Sequence, residues 1–148
     1  MLSYIKNIVF QLFINFGKSK ERSRAMGYGN FTNVECVSVY DGDTIKVNIK
    51  DLHPLVGKGI TIRINGIDTP EMKGGCEKSK IMANEAKCVV QNILTAAKKI
   101  DLLNCKRGKY FRIVADVIAD NINIGNLLIV KGLAVKYDGT TKKQDWCK

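Results

Sequence analysis

One histidine, His53, and five cysteines with no C-x-x-C pair leave this 148-residue chain without the ligand spacing of a structural zinc site. Any metal it binds is therefore expected to be oxygen-ligated. Cys36, Cys76, Cys88, Cys105 and Cys147 are odd in number, so at least one thiol stays unpaired, and Cys76 with Cys147 is one pairing among those that spacing leaves open. Acidic side chains are also scarce, 14 against 24 lysines and arginines, which gives a formal charge of +10. That excess favours a polyanionic partner, nucleic acid or an anionic membrane, through Coulomb attraction and counterion release. No apolar run reaches the roughly 20 residues that a spanning helix needs, and no internal repeat or low-complexity tract occurs. With 45% apolar residues the chain can bury one core, so a single monomeric domain is expected.

Residues 1–26 differ in pattern from the rest of the chain. Leu2, Ile5, Ile8, Val9, Leu12, Phe13 and Phe16 recur at roughly helical spacing, and the basic run Lys18, Lys20, Arg22, Arg24 comes next. A signal peptide, lacking here a small-x-small cleavage site, and an interfacial amphipathic helix both fit this pattern. We expect a leader that exports the protein or associates it with a membrane, with an untargeted extension as the alternative. Residues 27–30, Gly27 to Asn30, read as a linker, and residues 31–148 as the folded domain.

Within that domain short β-branched runs are separated by turn residues. Val34–Tyr40 and Thr44–Lys50 flank Asp41-Gly42-Asp43 and predict a hairpin; Gly59–Ile67 predicts a third strand, stopped at Asp68-Thr69-Pro70. Met82, Ala86, Val89, Val90, Ile93 and Ala97 follow the helical period and predict a long helix over Cys76–Lys98. Strands Ile100–Cys105 and Tyr110–Ala119 come next, joined by the basic turn Lys106–Lys109, and a short helix over Asn123–Lys131 ends at Gly132. The predicted class is α+β, a five-stranded β-barrel of the oligonucleotide-binding type. Its long helix falls between strands 3 and 4 and its short helix after strand 5.

Three clusters carry chemistry. Asp41-Gly42-Asp43-Thr44 sets two carboxylates on a turn whose glycine permits close backbone approach, although Asp-Gly is also an ordinary hairpin turn. Arg63-Ile64-Asn65-Gly66-Ile67-Asp68-Thr69-Pro70-Glu71 places a guanidinium inside an apolar strand and two acids at its end, a pattern that a structural Arg63 salt bridge with Asp68 or Glu71 would also produce. Strict alternation puts Arg63 and Asp68 on opposite faces, so a single site requires a bulge or a break near Gly66. Lys109-Tyr110-Phe111-Arg112 brackets two aromatic rings with cations, suited to stacking on bases and gripping phosphate, or to protecting a strand edge.

Together, and in this order, the three segments resemble the thermonuclease (staphylococcal nuclease-like) family over roughly Val34–Ala134. The resemblance implies that Asp43, Asp68 and the Thr69 carbonyl bind calcium, that Glu71 is the general base, and that Arg63 and Arg112 hold phosphate. It also implies that Lys109 and Tyr110 line the nucleotide pocket. The residue types suit those roles: planar guanidiniums grip two phosphate oxygens at once, a hard cation takes carboxylate and carbonyl oxygens, and a carboxylate can activate water. The Asp51–Lys58 loop and the segment bearing Tyr137, Trp146 and Cys147 depart from the family pattern.

The function expected on this reading is calcium-dependent endonucleolytic hydrolysis of DNA or RNA, single-stranded or frayed, leaving 3′-phosphate ends. The rivals are a catalytically silent nucleic-acid-binding module and a membrane-associated basic protein for which the barrel is a scaffold.

Overall fold

The computed structural model describes residues 29–148; the leader and the first half of the linker lie outside the described residues. Strand β1 (Glu35–Val39), β2 (Thr44–Asn48) and β3 (Ile60–Ile64) form an antiparallel meander. Helix α1 (Pro54–Gly57), β4 (Ile67–Asp68), α2 (Glu77–Ala96), β5 (Ile100–Arg107), β6 (Ile113–Ala119), β7 (Ile122–Asn123), α3 (Ile124–Val130) and β8 (Val135–Lys136) complete the described elements. The main sheet runs β1-β2-β3-β6-β5, with β3 and β6 parallel and β7 on β6. Residues ahead of β1 fold back onto β5. Phe31 exchanges backbone hydrogen bonds with Leu102, Val34 N–H donates to the Ile100 carbonyl, and Cys105 N–H donates to that of Gly29. The five long strands thus curl into the expected oligonucleotide-binding type of barrel.

Alternation explains which side chains fill it. Ile45, Val47, Ile62, Ile64, Ala115, Val117, Ala119, Ile100 and Leu102 all point inward and are buried, and their outward neighbours are polar or half-buried. Helix α2 covers one end with Ala83, Ala86, Val90 and Leu94, a stripe at intervals of three and four residues that packs on this core. Val89, Ile93 and Ala97 are only partly buried at its flank. Among the described residues no helix is long and apolar enough to cross a membrane.

Four local expectations are corrected. The third strand stops at Ile64, because Gly66 adopts a left-handed φ of 74° and turns the chain into β4, which pairs with β8 in a separate two-stranded sheet. The loop after β2 holds the short helix α1, with His53 Nδ1 accepting from Leu55 N–H as its cap and Pro54 opening it. Lys106 and Arg107 extend β5 rather than form a turn, each pairing with β6. Tyr110 lies in a 3-10 turn over Lys109–Phe111, and β6 begins only at Ile113.

Candidate functional site

Four elements bring the acids together. The β1–β2 turn is closed by Tyr40 N–H donating to the Thr44 carbonyl, and Asp43 N–H donates to Asp41 Oδ1 at 3.1 Å. Asp41 and Asp43 are both buried. Gly42 sits between them because nothing larger fits: an added Cβ would lie 2.8 Å from Ala86 Cβ on α2 and 2.9 Å from Thr69 Cγ2. The glycine therefore lets the helix, the acidic turn and the segment after β4 pack against one another. The Asp43 carboxylate accepts the Thr44 hydroxyl on Oδ1, and the Thr69 N–H and hydroxyl on Oδ2 at 3.2 and 3.1 Å.

Arg63 spans the two metal-ligand candidates. Its Nη1 lies 2.6 Å from Asp43 Oδ2 and its Nη2 3.6 Å from Asp68 Oδ1, with only 14% of the side chain exposed. The turn at Gly66 makes this meeting possible by carrying Asp68 out of the β3 register, which resolves the opposite-face conflict of a continuous strand. Burial pushes the Asp43 carboxyl up to about 6; Arg63 and the hydroxyls of Thr44 and Thr69 act against that shift, and the neighbouring Asp41 charge adds to it.

Asp68 and Glu71 share one further cation, which sequence reasoning missed. Lys142 places its Nζ 2.8 Å from Asp68 Oδ1 and 2.5 Å from Glu71 Oε1. Burial works against its charge, yet these two carboxylates together push the ammonium pKa up to about 12. The Lys142–Glu71 contact is a hydrogen bond. Asp68 Oδ1 is buried, and the groups that face it are the two cations, Arg63 Nη2 and Lys142 Nζ. No periodicity or motif singles out Lys142 in the sequence; only its neighbours in space do.

The second group stands beside the first through β-pairing. Arg63 faces Val114 across the parallel β3–β6 pair, so Arg112, two residues earlier in an extended conformation, shares that outward side. Its guanidinium lies 5.8 Å from the Tyr110 ring centroid, a cation–π arrangement. Tyr110 and Phe111 are 84% and 90% exposed, and both hold left-handed backbone angles, φ 56° and 58°. Lys109 is exposed on the same turn. The structure thus unites Asp43, Arg63, Asp68, Thr69 and Glu71 around two shared cations and sets Lys109, Tyr110 and Arg112 along the adjoining strand. Among its described contacts, none links Arg112 to the acids.

As a cation site the cluster offers oxygen donors only. Among the described residues no group of three or more His, Cys, Asp or Glu side chains is placed to hold a metal, so a metal here would rest on two carboxylates completed by a carbonyl. The buried carboxylates of Asp43 and Asp68 suit a hard cation, which would share them with Arg63 and Lys142. A cleft of about 770 Å³ opens from Asp68 and Lys142 along β8 and α3, reaching Tyr137 and Asn126, and does not include Arg63, Glu71 or Arg112. The chemistry is assigned to the charged cluster at its edge, since that is where the cationic and acidic groups converge.

The staphylococcal nuclease homologue family matches residues 61–147, more than half of the chain. That span holds Arg63, Asp68, Thr69, Glu71, Lys109, Tyr110 and Arg112; Asp43 precedes it, and its place in the site rests on its contacts with Arg63 and Thr69. No curated protein matches the chain.

Proposed function

The chain belongs to the staphylococcal nuclease homologue family, and from that premise we propose that it is a calcium-dependent endonuclease acting on single-stranded or frayed DNA or RNA and leaving 3′-phosphate ends. The observation that carries this reading is the convergence of Asp43, Asp68 and Glu71 on Arg63 and Lys142, an acidic cluster held together by cations inside a chain of charge +10. Asp43, Asp68 and the Thr69 carbonyl would hold calcium, which when bound supplies a Lewis acid for the phosphate oxygens. The remaining steps belong to side chains. Arg63 and Arg112 grip the phosphate, and their fixed forks stabilise the charge that grows as water attacks phosphorus. Glu71, with 64% of its side chain exposed, takes the proton of that water. Tyr110 and Phe111, exposed beside Arg112, offer stacking faces to unpaired bases, which supports flexible strands as substrates.

A silent binding module is the second reading, favoured by the fact that Arg63 and Lys142 already neutralise the acids. Incubation of the full chain with single-stranded oligonucleotides in calcium or in excess chelator separates the two. Cleavage only with calcium is expected; cleavage in chelator rejects the metal role, and tight binding without cleavage under either condition hands the case to the binding module. For residues 1–26 we propose a role in location, export or membrane association, that leaves the barrel chemistry unchanged, and for the barrel a monomeric state.

A further inference from the structure

We propose that Lys142 is a tethered counter-cation that competes with calcium for Asp68 and Glu71, and that the Cys76–Cys147 disulfide holds it in place. The inference rests on the calcium reading above. Residues 137–147 form a strap fixed at both ends. At one end β8 pairs with β4, the strand that carries Asp68, and Tyr137 N–H continues the pairing by donating to the Gly66 carbonyl at 2.9 Å. At the other end Cys147 is bonded to Cys76 at the start of α2, with Cα atoms 5.9 Å apart, and the Cys76 N–H also donates to Cys147 Sγ. Between them the strap is stiffened by Asp138, whose Oδ1 accepts the Thr140 N–H and hydroxyl, and by Tyr137 Oη donating to the Thr140 carbonyl.

Lys142 lies near the middle of this closed loop, and its ammonium meets one expected metal ligand and the expected general base at once. A divalent cation arriving at Asp68 would stand within a few ångströms of that ammonium, and like charges at such range repel strongly in a partly buried site. One of the two must yield. Closure of the loop raises the effective concentration of Lys142 at the acids above that of a tail anchored only at β8. Opening the bridge needs two electrons and two protons; a dithiol supplies both, becoming a cyclic disulfide while Cys76 and Cys147 become thiols.

The test is calorimetric titration of calcium into the full chain, with folding of each variant checked by circular dichroism. Lys142→Gln should bind calcium about fivefold more tightly than wild type, the upper end of the range for a partly exposed ion pair. Lys142→Arg, which keeps the charge, should stay within about twofold of wild type. Cys76→Ser/Cys147→Ser, or wild type treated with a dithiol, should shift in the direction of Lys142→Gln. Adding Lys142→Gln to the bridge-free chain should give the affinity of Lys142→Gln alone. Equal affinity in wild type and Lys142→Gln, or weaker binding in the variant, overturns the competition and leaves the calcium reading standing. A bridge effect that persists undiminished in Lys142→Gln overturns the role of the tether. Absence of calcium binding in every variant overturns both the proposal and the calcium reading.

Discussion

Asp43 should make the metal-free protein lose stability as pH rises through the mildly acidic range. The carboxyl is buried and pushed up to about 6 from an ordinary 3.8, chiefly by desolvation. A group whose folded pKa exceeds its unfolded value binds its proton more tightly in the native state. Its contribution to stability is therefore fully present below about 3.8 and lost as pH climbs through about 6. The difference between 3.8 and about 6 corresponds to about 3 kcal/mol. Asp43→Asn stays neutral at every pH and serves as the reference. Urea unfolding in chelator, followed by circular dichroism from pH 4 to 8 at fixed ionic strength, should show wild type losing about 2–3 kcal/mol relative to Asp43→Asn across that window. The contest is between desolvation and the Arg63 guanidinium 2.6 Å away. If wild type instead gains stability relative to the variant as pH rises, the ion pair outweighs burial and the reasoning fails; a flat difference fails it equally. Saturating calcium, which binds the ionised carboxylate, should reverse the slope.

Glu71→Gln, an exposed and nearly isosteric change, should alter stability by no more than about 0.5 kcal/mol while lowering the cleavage rate about 10²- to 10⁴-fold, read from paired melts and oligonucleotide cleavage. Equal cleavage by the two proteins would remove Glu71 from the mechanism. Gly42→Ala should cost about 1–3 kcal/mol, since its Cβ meets Ala86 and Thr69 inside 3.0 Å, and it should weaken calcium binding by moving Thr69 off Asp43; a variant as stable as wild type contradicts the packing argument. Arg63→Lys keeps one charge but loses the fork that spans Asp43 and Asp68, so cleavage should fall even where oligonucleotide affinity is retained. Loss of the Cys76–Cys147 bridge frees a separation of 71 residues, worth about 4 kcal/mol of chain entropy in the loop-closure picture; denaturant midpoints unchanged by reduction would show that the tail adds nothing to the fold.

The parts of the fold legible in the sequence are those with a strong period. Alternation in Thr44–Lys50 recurs as β2, with Ile45 and Val47 buried, and the helical period read from Met82, Ala86, Val89, Val90, Ile93 and Ala97 recurs as α2, although its buried stripe is centred on Ala83, Ala86, Val90 and Leu94 and shares only Ala86 and Val90 with the predicted face. Ile64-Asn65-Gly66-Ile67 continues the β-branched run from Gly59 without a proline and for that reason reads as one strand, although Ile64 and Ile67, three apart, already break the alternation; the left-handed turn at Gly66 comes where β4 leaves β3 to pair with β8. In Lys109-Tyr110-Phe111-Arg112 the aromatics signal a strand by propensity, yet Tyr110 and Phe111 take positive φ and stay exposed, a conformation with no signature in residue type. The acids of the site were legible because carboxylates beside tight turns and an arginine within an apolar strand are chemically conspicuous. Lys142 was not, being one lysine of a Lys-Lys pair in a strap that only the long-range pairing of β8 and the distant Cys76 bring home.

The electrostatics of the whole chain and of its site run in opposite senses, and that opposition has a use. A net charge of +10 draws a polyanion toward every face of the protein, so attraction alone does not select where a phosphate settles. Asp41, Asp43, Asp68 and Glu71 create a locally acidic spot that repels phosphate unless cations intervene, and Arg63 and Lys142 supply them from within. Arg63, half-buried between the two aspartates, can serve the site without leaving it. Lys142, nearly half exposed on a strap that approaches from outside the barrel, can be displaced. An exchange of that ammonium for a divalent ion would replace one positive charge by two at the same acids and leave the spot attractive to phosphate. On the calcium reading, metal loading and substrate affinity would thereby be coupled at Asp68, the buried carboxylate that both Arg63 and Lys142 face.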